Sequence, residues 1–322
     1  MRTGEIFDLA LRCYQRLGWT YLKLTLVPAL FCFAAHLFDT QVLAPSLFVT
    51  SNAGNLGVQL GEVITAIALG MFVGGPLFML GLSWSTCVVA QLVSDTIVGN
   101  VPSPAASVAA ARRSVFRVFA VNLYQTLIAS TGLLVSAGLL IASGYLTKMT
   151  GNDTAVAGVV ALVGTLGLVA GGIIFLVVSC RYALAPSIAV IENARVRTCV
   201  KRSVMLQSSL GYHPSGTGSV FGLMLLCGLF WLLFVGGVST ALSLSGAHHF
   251  LTNAFTNLPL GGLLLKALEL APAFLGVWTI IPFWATALTI LYYERRVRLE
   301  GYDIEALAAD VWRTDLQARF EL

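Results

Sequence analysis

Charge is what this sequence has least of. Asp, Glu, Lys and Arg make up 11% of its 322 residues, under half of the roughly 25% that keeps a soluble domain solvated. With 57% hydrophobic residues and a mean hydropathy of +0.85, a water-facing surface is excluded for most of the chain. Its solvent is lipid. Catalytic signatures are also missing: there is no GxSxG, HExxH, GxxxxGK[ST], strand-borne GxGxxG or paired CxxC. The six cysteines have no pairing rhythm and read as small apolar space-fillers. Of the four histidines, His248-His249 and His36 lie toward one face, but no acid stands at ligand spacing, so neither a metal nor another cofactor is expected. A net charge of +4 is too modest to imply a nucleic-acid partner.

What is present is a series of apolar runs. Six approach or exceed the ~20 residues that cross a hydrocarbon core: Tyr21–Phe38, Leu60–Val98, Val118–Leu146, Ala155–Tyr182, Val220–Leu244 and Leu263–Tyr293. Because Glu5, Asp8, Arg12 and Arg16 precede the first, it is expected to be a retained span and not a cleaved leader. The second run is nearly twice as long as needed and is interrupted by Gly74-Gly75-Pro76, so it is either one kinked helix or two short spans. Charge parity favours the single helix. With one span per run, all but Lys148 and Lys266 of the 19 basic residues collect on one side. By the positive-inside rule that side is cytoplasmic, and both termini lie there.

The predicted fold is therefore all-α: a six-span transmembrane bundle over residues 1–299, followed by an amphipathic cytoplasmic helix over residues 300–322. The stretches before the first, third and fifth spans each read as an amphipathic helix. Ser103-Pro104 forms a cap-and-N1 pair and Asn193 a further candidate N-cap. This predicts three parallel hairpin repeats, each entered through a cytoplasmic elbow helix. Gly70-x3-Gly74 and Gly167-x3-Gly171 match the small-xxx-small spacing that lets helix backbones approach.

Intramembrane acids would be the first candidates for transport chemistry. Glu62, Asp95 and Glu269 all fall toward the ends of their runs, which counts against a coupled transporter. The polar residues most specific to this chain lie at two cytoplasmic elbows. Arg181, Glu192, Arg202, Arg296, Arg298, Glu300 and Asp303 are predicted to converge there as a charge network, with Gly301 supplying a turn.

Two stretches around these residues also carry a resemblance. Arg181-Tyr182-Ala183-Leu184-Ala185-Pro186, with Glu192-Asn193 and Lys201-Arg202-Ser203, is one. Tyr292-Tyr293-Glu294-Arg295-Arg296-Val297-Arg298-Leu299-Glu300-Gly301-Tyr302-Asp303 is the other. Together they resemble the membrane domain attached to some bacterial glycerophosphodiester phosphodiesterases and its stand-alone relatives. Glu294 stands where that pattern tends to carry Asp, and Val204 where an aromatic is common. The resemblance implies a membrane module without the catalytic barrel. The function expected is thus non-enzymatic: a scaffold or accessory, lipid-associated module of the bacterial plasma membrane. Its partners would be membrane lipids, another membrane protein or itself. A transporter or channel for a lipid or small amphiphile is the alternative.

Overall fold

The computed structural model describes residues 3–38, 73–150, 155–208, 215–245 and 261–301. All regular structure among them is helical. Six helices are long and apolar enough to cross a membrane: α1 (Thr3–Phe38), α2 (Gly75–Val98), α3 (Pro104–Thr150), α4 (Ala155–Tyr182), α7 (Ser215–Leu244) and α8 (Gly261–Glu300). Two shorter helices, α5 (Ala185–Ile191) and α6 (Val196–Ser208), lie between α4 and α7. The C-terminal helix predicted over 300–322 lies almost wholly outside the described residues, as do Gly70, Glu62 and the first third of the second apolar run.

The bundle is organised around α2 and α8. More than half of the most apolar window of each (56%) is buried, against 11% for α4 and 17% for α3 and α7. α2 packs on α1, α3 and α8, while α4 lies mainly along α3, and α7 mainly along α8. Tyr21, Val88, Leu92, Leu288 and Leu291 fill the space between α1, α2 and α8. The exposed surface of α4 carries Val159, Leu162, Leu166, Val169 and Ile173, and that of α7 carries Leu225, Leu229, Leu232 and Leu233. Outward-facing aliphatic rows of this length are what a helix presents to lipid.

Small residues set the closest helix approaches. A Cβ on Gly81 of α2 would stand 2.5 Å from the Pro28 carbonyl oxygen of α1, so no larger residue fits there. Between α3 and α4, a Cβ on Gly171 would meet the Gly132 backbone at 2.9 Å, and one on Gly167 would meet Ser136 Oγ at 2.6 Å. Gly167-x3-Gly171 thus faces a second small-xxx-small pair, Gly132-x3-Ser136, in antiparallel register. Gly74 is buried and keeps helical dihedrals (φ −63°, ψ −52°), so the chain passes through Gly74-Gly75 without a turn.

The amphipathic entry segments differ from expectation in one respect. Those before the first and third spans are not separate helices: α1 runs unbroken through its segment for 36 residues and α3 for 47. At about 1.5 Å per residue, α3 reaches roughly 70 Å, more than twice the hydrocarbon thickness. No proline or turn signal separates Arg117 from Val118, so nothing halts the helix there. Ser103 does cap α3, its hydroxyl accepting from Ala106 N. Only the third connection breaks, at Ala183-Leu184 and again at 192–195. Asn193, expected as an N-cap, instead takes a left-handed conformation (φ 54°), which Asn tolerates better than most residues, and α6 begins at Val196.

Candidate functional site

The site is built where the α5–α6 connection meets the last turns of α8. Glu192 ends α5, Arg202 lies in the middle turns of α6, and Tyr292, Arg296 and Glu300 recur every four residues along one face of α8. Arg202 joins the elements. Its Nε donates to Glu192 Oε1 at 2.7 Å, and a terminal nitrogen donates to Glu300 Oε2 at 2.7 Å. Arg296 Nε donates to the same Glu300 oxygen at 3.1 Å. The Tyr292 hydroxyl donates to Glu192 Oε1 at 2.6 Å, and the Arg296 guanidinium lies 5.8 Å from the Tyr292 ring centre.

Two guanidiniums and two carboxylates make this cluster charge-neutral. Its members are shielded but not sealed: the side chains of Glu192, Glu300 and Arg202 are 18–27% exposed, and Tyr292 beneath them is fully buried. The surrounding elements are tied to it through backbone groups. Ser203 Oγ donates to the Arg181 carbonyl at 2.9 Å, and Arg117 of α3 donates to the Ala189 carbonyl and to Asn193 Oδ1. One turn down, Ser94 of α2 shares a 2.6 Å hydrogen bond with Tyr293. The ends of α2, α4 and α8 and the start of α3 therefore converge at this pole.

Of the seven charged residues named from the sequence, the structure brings Glu192, Arg202, Arg296 and Glu300 together. Arg298 does not join them; it points to Glu294 Oε1 at 2.6 Å. Arg181 takes part through its carbonyl, with an exposed side chain, and Asp303 lies outside the described residues. Tyr292, Ser203, Arg117 and Asn193 were not singled out as network members. The signal for Tyr292 was its i, i+4, i+8 spacing with Arg296 and Glu300. The Cys199 thiol, buried on α6, is held above its ordinary pKa by that burial and then by the Glu192 charge, against the opposing pull of Arg117.

Beyond the cluster, two apolar hollows open on the flanks. One of about 310 Å³ lies between α1, α2, α7 and α8, lined by His36, Cys32, Phe78, Trp231 and Phe274. The other lies between α1, α2 and α3 and has Arg112 at its edge. Of the span acids named from the sequence, the two among the described residues are peripheral: Asp95 accepts from Gln91 in the last turns of α2, and Glu269 is exposed near the start of α8. Among the described residues no group of three His, Cys, Asp or Glu is placed to hold a metal, and the cysteines are all free.

No protein-family model matches this chain, and no curated protein or solved structure shows significant similarity to it.

Proposed function

We propose that this chain is a non-catalytic membrane module, a scaffold or lipid-associated accessory subunit of the bacterial plasma membrane. In this reading α1–α2, α3–α4 and α7–α8 are three parallel hairpins. The Glu192–Arg202–Glu300–Arg296 pole faces the cytoplasm, as the concentration of basic residues in the sequence requires. The observation that carries the reading is the closure of that cluster: its acids, its cations and the Tyr292 hydroxyl are paired with one another. A carboxylate already holding a guanidinium and a tyrosine at 2.6–2.7 Å is a structural acceptor and a poor general base. The filled space between α1, α2 and α8 favours a scaffold over a transporter. The likeness of the two elbow stretches to the membrane domain of glycerophosphodiester phosphodiesterases agrees with it.

Reconstitution tests this. In vesicles containing the purified protein, efflux of a small trapped dye and flip-flop of a fluorescent phospholipid should match protein-free vesicles, and added glycerophosphodiesters should not be hydrolysed. Flux that scales with protein content moves the assignment to a transporter. Turnover lost on changing Glu192, Glu300 or a histidine moves it to an enzyme.

A further inference from the structure

We propose that the cleft between α1, α2 and α3 binds one anionic glycerophospholipid, its phosphate held by Arg112 and Arg113 and one acyl chain lying along the apolar floor. This inference rests on the membrane reading above and names the ligand that such a module would hold.

The cleft has two halves that meet at one residue. The deeper half, about 460 Å³, is walled by Val27, Phe31, Trp84, Val115 and Phe116. The outer half, about 550 Å³, lies between Leu24 of α1 and the first turns of α3 and is lined by Arg112 and Arg113. Arg112 belongs to both. Its charge, with that of Arg113, therefore stands at one end of an otherwise apolar cleft, the same order of chemistry as along a phospholipid. Arg112, Arg113 and Phe116 share a face of α3 by their three- and four-residue spacing, which sets both cations one turn from an aromatic side chain that is 76% exposed. Gly81 forms part of the floor. Its missing Cβ lets α2 close on Pro28 of α1, so the cleft is shut at the bottom and open on the flank.

Charge complementarity selects the ligand. Among the described residues no carboxylate lies within ion-pair distance of either arginine, unlike Arg202, Arg296 and Arg298 on the neighbouring elements. Two guanidiniums without a counter-charge suit a phosphodiester, which accepts their paired donors in a planar fork. A free phosphate would satisfy the cations but leave the apolar channel without an occupant. An acyl chain gains little by moving from bilayer to cleft, since both are apolar. Selectivity must then come from the headgroup, and a lipid of net negative charge is favoured over a zwitterionic one, whose own ammonium meets the arginines.

The experiment is quenching of Trp84 by lipids brominated on the acyl chain. The full chain is reconstituted in mixtures containing either brominated phosphatidylglycerol or brominated phosphatidylcholine, and the Trp84 signal is taken as the difference between parent and Trp84→Phe. Phosphatidylglycerol should half-quench that signal at a lower mole fraction than phosphatidylcholine, by roughly fivefold for each arginine engaged. In Arg112→Gln/Arg113→Gln the two lipids should converge to within about twofold, while Arg112→Lys/Arg113→Lys keeps most of the preference. Should the Gln pair not fold, the parent serves alone: raised salt must erase its preference. Equal quenching by both lipids in the parent, or a preference that survives the Gln pair, overturns the site. So does a preference abolished by millimolar inorganic phosphate, which would make the ligand a free anion. Trp231 on the exposed flank of α7 separates the two levels of failure. Quenching of Trp231 without Trp84 means that another segment or a second copy covers the cleft, and the lipid site falls alone. If neither is quenched, the membrane reading falls with it.

Discussion

The Tyr292 hydroxyl donates to Glu192 Oε1 at 2.6 Å although the two residues are 100 positions apart. Because the same oxygen also receives Arg202 Nε, Glu192 is one of the two points, with the Arg202–Glu300 pair, at which the elbow is fastened to α8. Replacing it with Ala leaves Arg202 short of one acid and Tyr292, fully buried, without an acceptor. Hydrogen bonds to a charged group contribute about 1.5–3 kcal/mol. Glu192→Ala and Glu300→Ala should each lower the melting temperature in detergent, through a loss of stability in that range reduced by the partial exposure of the cluster. Exposed Arg197→Ala should not. A double-mutant cycle of Glu192→Ala with Tyr292→Phe should be strongly sub-additive. Three variants that melt with the parent would show the cluster to be a solvated face.

This pole was partly legible in the sequence. Arginines and glutamates flanking apolar runs on the same side must share a membrane face, and that alone brought Glu192, Arg202, Arg296 and Glu300 together. Which carboxylate pairs with which guanidinium was not legible. Helical phase decides it: Arg298 is two residues past Arg296, so it projects from another side of α8 and takes Glu294, four residues before it. Backbone participation, as in Ser203 to Arg181, leaves no trace in side-chain chemistry.

Cys199 reports on the same elbow. Its thiol is raised by burial first and by Glu192 second, so it stays protonated, and unreactive, to higher pH than an exposed cysteine. In a variant retaining Cys199 alone, alkylation of the folded protein should be slow at neutral pH and its pH midpoint shifted upward. Glu192→Gln should lower that midpoint, because it removes a negative charge that disfavours the thiolate. Full reactivity should return in denaturant. A midpoint unmoved by Glu192→Gln would separate the two residues.

The glycine contacts allow a controlled comparison. A methyl at Gly81 would collide with the Pro28 carbonyl, and one at Gly171 with the Gly132 backbone, neither of which can turn aside as a side chain could. Gly81→Ala and Gly171→Ala should each cost about 1–3 kcal/mol through forced helix separation. Gly172, adjacent to Gly171, has nothing within 4 Å of its would-be Cβ. Gly172→Ala should be neutral or stabilising by about 0.5–1 kcal/mol, since Ala is the better helix former. Destabilisation by Gly172→Ala equal to that by Gly171→Ala would mean that helix packing is not what these positions report. Spacing revealed Gly167 and Gly171 in the sequence. Gly81-x3-Ser85 has the same small-xxx-small spacing, but spacing alone did not mark Gly81 as the close contact; its fit against Pro28 emerged only once α1 and α2 were placed together.

Topology supplies the last prediction. Apolar run lengths gave the six helices, but sidedness rests on the distribution of basic residues alone, a bias of insertion and not of packing. It makes a sharp claim. Arg112, Arg113 and Arg117 lie in the first turns of α3, so Ala109 just before them must be cytoplasmic if the second apolar run crosses once. The connection after α3, which includes Asp153 outside the described residues, must then be external. In intact right-side-out cells, a cysteine at Asp153 should react with a membrane-impermeant maleimide, and one at the exposed Ala109 should react only after permeabilisation. The continuous helical backbone through Gly74-Gly75 favours this outcome, since two spans within the second run would need a tight turn, and Gly-Gly-Pro is its strongest sequence signal. Labelling of Ala109 in intact cells would place that turn elsewhere in the run, put the start of α3 outside, and reverse the face to which the Glu192–Arg202–Glu300 cluster is assigned.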